Sequence, residues 1–320
     1  MLDVFYTVDV EVWCDGWKDL DARFADAFRR HIYGSTPRGD FGLPLQLELL
    51  RAHGLKGVFF VEPLFATRFG LPPLQEIVGL LADGQQDIQL HLHTEWVDEA
   101  PVPILEDSRR KRQFLRDFSP QEQSILIAEG LRLLRSAGGG QATAFRAGNF
   151  GFDIRTLGAL AANGMRFDSS YNACTLGLDS GLRPGTVLVE PVRHEGVFEY
   201  PVTVFADGTS RLRPMQITAC SWGEMEGLLW RALESGRQSV VIVSHSFELL
   251  DGDRTRADPT AIRRLRSLCS FLDRHRDSFR SQGFSGLQGV SVEPQPEPLS
   301  SPPWKTAWRL AEQGLRRLGA

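Results

Sequence analysis

Cysteine is scarce in this chain of 320 residues: Cys14, Cys174, Cys220 and Cys269 stand far apart, with no C-x-x-C pair. That spacing suits reduced thiols in a cytosol better than a disulfide framework. No stretch reaches the ~18 consecutive apolar residues of a spanning helix. The opening "MLDVFYTVDVEVW" lacks a basic start, a long apolar run and a small-residue cleavage site, so the expectation is a soluble, cytoplasmic body. Neither sign of charge dominates. Thirty-six Lys and Arg against forty Asp and Glu leave a net charge of −4, which offers nucleic acid no basic surface. Internal repeats are absent as well. What remains is ordinary globular composition, 42% hydrophobic and 24% charged, enough for one large α/β barrel or two smaller domains.

Apolar runs of strand length alternate with amphipathic helical stretches, the pattern of a parallel α/β fold. The runs are "DVFYTVDV" (3–10), "KGVFFVE" (56–62), "DIQLHLH" (87–93), "TAFRAG" (143–148), "FDSSY" (167–171), "FEYPVTVF" (198–205) and "SVVIVSHSF" (239–247). Helix starts are legible between them. Ser119-Pro120 with Glu122 opens one, Ser221 with Glu224 forms a capping box, and Asp258-Pro259 opens a helix running to about Arg276. Two long connections, 12–42 and 94–118, have the length of lids or binding loops. Past residue 289 the composition changes. Residues 1–289 are expected to form the barrel, 290–303 a Pro/Ser-rich linker, and 304–320 an amphipathic helix. On that helix Trp304, Trp308, Ala311, Leu315 and Leu318 share a face, with Lys305, Arg309, Arg316 and Arg317 elsewhere. It could lie on a membrane surface or dock on the barrel or a partner, and docking is the reading preferred here.

The chemistry-bearing residues gather at the C-terminal ends of the strands, where (β/α) barrels build their active sites. Alternate residues of a strand share a face, so His91 and His93 lean the same way and form half of a metal site. Thr7, Asp9 and Glu11 share a face of the first strand, opposite Val8, Val10 and Val12. Two carboxylates there call for a compensating cation or donor. Glu95 follows the histidine pair, Arg146 precedes a Gly-Asn-Phe-Gly turn, Asp168 stands in the fifth run and His245 in the last. Carboxylates, histidines and an arginine around one mouth describe metal-assisted hydrolysis.

In order and context, "TVDVE", "IQLHLH", "FRAGNFG", "FDSSY" and "VVIVSHSFEL" resemble the five motifs of the polysaccharide deacetylases, carbohydrate esterases of the NodB-homology type. The likeness spans roughly residues 3–285, with "QGFSGL" similar to the family's closing strand, and "HSFELL" is most like the bacterial surface-polysaccharide biosynthesis branch. The resemblance implies a distorted (β/α)7 barrel holding one divalent metal ion, most often Zn2+. It also implies Asp9 as catalytic base, His91 as the first metal histidine, Arg146 orienting the base, Asp168 as a supporting acid and His245 as catalytic acid. Two positions depart from the family pattern. Val10 stands where the family has a metal-binding aspartate, and Glu95 where it has a second histidine. Glu11 can replace the first, and His93 or Glu95 the second.

The expected reaction removes an acetyl or formyl group from an amino sugar, at a linear C–N amide bond. Asp9 takes a proton from water, and His245, oriented by a carboxylate such as Asp168, gives one to the departing amine. Trp96, Asn149, Phe150 and Tyr171 are the candidate sugar contacts. With no export signal, the expected substrate is a nucleotide- or lipid-linked intermediate of exopolysaccharide synthesis at the inner membrane face. Two alternatives stay open, a metal-free sugar-binding pseudoenzyme and a cyclic-amide hydrolase of the same superfamily.

Overall fold

The computed structural model describes residues 1–107 and 110–318, with side chains as far as residue 314. In chain order the elements that position the site begin with β1 (Leu2–Val10), α1 (Leu20–Phe28), α2 (Leu43–Ala52), β2 (Val58–Val61), α3 (Pro72–Asp83) and β3 (Asp87–Leu92). Next come α4 (Pro120–Ser136), β4 (Ala144–Ala147), α5 (Ile154–Ala162), β5 (Phe167–Asp168), β6 (Val192–His194) and β7 (Val197–Glu199). The last group is β8 (Val204–Ala206), β9 (Leu212–Pro214), α6 (Trp222–Glu234), β10 (Ser239–His245), α7 (Pro259–Arg274), β11 (Phe279–Ser281), β12 (Leu299–Ser300) and α8 (Pro303–Leu318). This is the α/β alternation expected from the sequence.

The chain divides into two compact units built from discontinuous segments. The first comprises Met1–Gly57, Thr203–Gln282 and Glu297–Ala320. Here β1 pairs in parallel with β10 on one side and β11 on the other. Burial on both faces explains the apolar run of β1, where Val4, Phe5, Val8 and Val10 are buried alongside Thr7 and Asp9. Phe271 of α7 packs edge-on against Trp222 and Trp230 of α6, and Phe279 closes on the same cluster. The second unit comprises Val58–Val202 and Gly283–Pro296. Its strands run β2-β3-β4-β5-β7-β6, parallel but for the β6–β7 hairpin.

The caps form as expected. Ser119 accepts from the Glu122 N–H while Glu122 accepts from that of Ser119, and the reciprocal pair recurs at Ser221 and Glu224. Asp258 accepts from the N–H groups of Thr260 and Ala261. Three expectations need correction. The run 198–205 is two strands, because Pro201 has no N–H to give a ladder. The closing strand is Phe279–Ser281, just before "QGFSGL", whose Gln282 N–H still bonds Val4. The connection 12–42 is not an open loop; it holds α1, followed by a π-helical turn at Arg29–Tyr33.

The tail differs most. Residues 290–296 belong to the second unit, where the Gln295 carboxamide accepts from the Val189 and Glu190 N–H groups. Beyond them β12 adds to β8, and α8 docks on the first unit by its polar side. Arg309, buried, donates to Asp207 at 3.0 Å and to Glu224 at 3.2 Å, and Thr306 is buried beside it. Trp304 and Trp308 face solvent, 67% and 70% exposed. Two buried carboxylates on the body demand a cation, and that demand outweighs the apolar stripe. The side chains of Leu315, Arg316, Arg317 and Leu318 lie outside the described residues. Among the described residues no helix is long and apolar enough to cross a membrane.

Candidate active site

In the first unit the register of β1 and β10 places Asp9 beside His245. Asp9 and Glu11 are both buried, 3% and 6% exposed. The His245 ring is a quarter exposed, and its Nδ1 lies 2.7 Å from the Glu248 carboxylate, one turn onward. Glu248 is itself fixed. It accepts from the Gln216 amide at 2.9 Å, from the Thr218 N–H at 3.2 Å and from the Thr218 hydroxyl. Burial opposes a charge on His245, but the hydrogen bond and charge of Glu248, with Glu11 and Asp9 behind it, win. The imidazolium persists up to about 9. The reciprocal interaction holds Glu248 below the usual carboxylate range against its own burial. At neutral pH the chain therefore keeps a protonated, oriented histidine next to a carboxylate at a strand end.

In the second unit β3 delivers the histidine pair. The rings of His91 and His93 have centroids 4.7 Å apart and stand nearly perpendicular. The Nδ1 of His91 lies 2.8 Å from the carbonyl oxygen of Arg146, which can only accept, so Nδ1 carries the hydrogen and Nε2 the lone pair. The Nδ1 of His93 lies 3.3 Å from Glu95, which sets the same tautomer. A ligating histidine is held in this way by a carbonyl or carboxylate on its far nitrogen. Gly148 is required beside it, since an added Cβ would sit 2.7 Å from the Nδ1 of His93 and 2.6 Å from the carbonyl of Leu92. Asn149 and Phe150 follow with φ of 54° and 55°, a strained turn of the kind that collects at functional sites.

Behind the histidines Arg146 is fully buried. It donates to the Ser169 carbonyl at 3.0 Å and to its hydroxyl at 3.1 Å, and its guanidinium covers Phe60 at 4.3 Å. The register of β5 and β7 sets Asp168 beside Glu199, and the two buried carboxyls hydrogen-bond each other. Burial raises both, Asp168 to about 6, and the charge of Asp168 lifts Glu199 further. Burial and mutual repulsion therefore oppose a second negative charge on the pair, which lies near Arg146.

Several expected roles are displaced. The carboxylate on His245 is Glu248, because Asp168 is engaged by Ser170 at 2.5 Å and by Glu199. Glu95 does not continue the strand face. The chain turns into a 3-10 helix at Thr94–Glu99, and the carboxylate takes His93 and, at 3.0 Å, the Asn149 amide. Asn149 thus steadies Glu95. Trp96 and Tyr171 are 1% exposed and cannot stack on a sugar. The edges of Phe65 and Phe69 meet Trp96, and the Tyr171 hydroxyl bridges Thr186 and Leu188. Phe150 remains half-exposed. The sequence reading missed Glu248 and Glu199. The "HSFE" spacing, one turn from His245, was the available signal for the first; nothing local marked the second.

No protein-family model matches the chain, and no curated protein does. Solved structures do. A Mycobacterium smegmatis protein assigned as a polysaccharide deacetylase aligns over 92% of this chain and 94% of its own, with 18% identity and a TM-score of 0.56. A family 4 carbohydrate esterase from Streptomyces lividans, solved with acetate, covers 92% and 97% at 12% identity and a TM-score of 0.44. A family 4 pseudoenzyme from Bacillus anthracis covers 91% and 66% at 13% and 0.44. The first likeness shows the fold, which is that of the polysaccharide deacetylases and bears out the α/β, distorted-barrel class.

Proposed function

We propose that the protein is a metal-dependent hydrolase that removes an acetyl or formyl group from an amino sugar carried on a nucleotide- or lipid-linked intermediate. The observation that carries this reading is the His91–His93 pair, buried at a strand end with both Nδ1 atoms engaged so that both Nε2 atoms bear lone pairs. With Glu11 as the anionic member the ligand set is Glu11, His91 and His93, each offering one donor atom, a composition suited to Zn2+. When bound, the ion supplies Lewis acidity towards the acyl carbonyl and the attacking water.

The chain's own residues supply the rest. Asp9 accepts the proton of the attacking water, and Arg146 is the residue assigned to orient that base. His245, kept protonated by Glu248, donates to the departing amine nitrogen, so the C–N bond breaks without expelling an amide anion. Phe150 is the remaining aromatic candidate for the sugar face. The experiment is acetate or formate release from N-acetylated and N-formylated amino sugars, nucleotide-linked and free, by wild type and Asp9→Asn. Turnover by wild type and a loss of at least about 100-fold in the variant are expected. No acetate or formate release from any of them, with metal bound, counts against the reading.

A further inference from the structure

Two unusual backbone segments of the first unit meet in one contact. The π-helical turn Arg29–Tyr33 carries His31, and the turn after β10 carries Arg254 with φ of 56°. Such turns and left-handed residues persist only where the surroundings over-determine them. Asp251 does so here. Its carboxylate accepts from the Thr255 and Arg256 N–H groups, and its backbone pairs with Arg254 and Arg256. The turn aims the Arg254 guanidinium over Phe247, 4.1 Å from the ring centroid. Phe247 in turn stacks on His245, centroids 5.4 Å apart at 24°. The cation therefore lies one ring removed from the proposed acid.

What holds Arg254 is chemically telling. Its Nη1 donates to the Nε2 of His31. The Nδ1 of His31 lies 2.8 Å from the Ala27 carbonyl and so bears the hydrogen, and Nε2 is free to accept. Burial and the neighbouring guanidinium push His31 down to about 4, so it stays neutral. A carboxylate in that place would cancel the charge it positioned; a neutral imidazole aims the guanidinium and leaves it cationic. Among the described residues no carboxylate forms an ion pair with Arg254. Glu11 and Asp15 act on it only at longer range, against Arg30, and Asp15 is paired with Arg30 at 2.7 Å. A half-buried guanidinium without a counter-ion is costly unless a ligand supplies one.

We infer that Arg254 is an anion-recognition residue that takes the phosphate of the sugar's carrier, and so selects phosphate-linked amino sugars over neutral ones. This rests on the hydrolase reading above and assigns the residue that reads the carrier. A planar guanidinium with open N–H edges matches phosphate oxygens in a fork, which a neutral glycoside lacks.

The test is direct binding by the full-length chain, without turnover. The probes are N-acetylglucosamine 1-phosphate and its neutral methyl glycoside, with UDP-N-acetylglucosamine and a short isoprenyl-diphosphate N-acetylglucosamine as two further arms. In wild type the phosphorylated sugar is expected to bind about 10- to 100-fold tighter than the methyl glycoside. Arg254→Met should bring that ratio near one, and Arg254→Lys should restore part of it, which also controls for folding. The arm that adds affinity identifies a nucleotide or lipid carrier. Equal binding of charged and neutral sugars by wild type, or a preference that survives Arg254→Met, overturns the inference. Arg254-dependent binding without acyl release from any probe would instead retain the phosphate site and refute the hydrolase.

Discussion

Histidine 245 shows how one neighbour sets a residue's chemistry. Its folded-state pKa lies at about 9, above the usual value of 6.5, because Glu248 holds Nδ1. A raised pKa contributes stability that is complete below 6.5 and is lost as pH rises through 9, up to about 3 kcal/mol. Glu248→Gln should therefore narrow the difference in melting temperature between pH 6 and pH 9.5, and move the alkaline limb of activity from near 9 towards 6.5. A limb that stays put in the variant would remove Glu248 from its role. At the same scale, Gly148→Ala places a methyl group against His93 and the Leu92 carbonyl. The expected result is a metal affinity about 10- to 100-fold weaker, read by competition with a chelating dye. The alternation of "LHLH" was enough to pair His91 with His93, since a strand's period of two is a local property. Which carboxylate attends which histidine was not legible. Asp168 and Glu248 look equally eligible until strand register and turn geometry are known.

Elements repeat that division between local and non-local information. Ser119, Ser221 and Asp258 announced their helices because a cap is a contact between residues two or three apart. The terminal helix misled for the opposite reason. Its apolar stripe is real, yet Arg309 is the residue buried, because Asp207 and Glu224 lie about a hundred residues away in sequence. Arg309→Met should lower the unfolding free energy by about 3–5 kcal/mol, as it strands two buried carboxylates. Trp304→Ser and Trp308→Ser should stay within about 0.5 kcal/mol in the same urea titrations. The reverse order would place the tryptophans, rather than the arginine, against the body.

For the whole molecule, the fold was readable from the alternation of strand-like runs with capped helices, and the likeness to a deacetylase structure agrees with it. Division of the chain into two units was not readable, because the first unit resumes only after residues 58–202 and the second only after residues 203–282. The proposed hydrolase stands on the ligand character of Glu11, His91 and His93. Asp9→Asn bears on it, since a base can be silenced without removing a ligand; turnover should vanish while bound metal stays. Most direct is elemental analysis of protein purified without chelators, supplied with zinc and dialysed, for wild type and the double variant His91→Ala, His93→Ala. The account predicts about one divalent ion per wild-type chain and essentially none in the variant. A wild type that retains no metal, or a variant that retains as much, would contradict it.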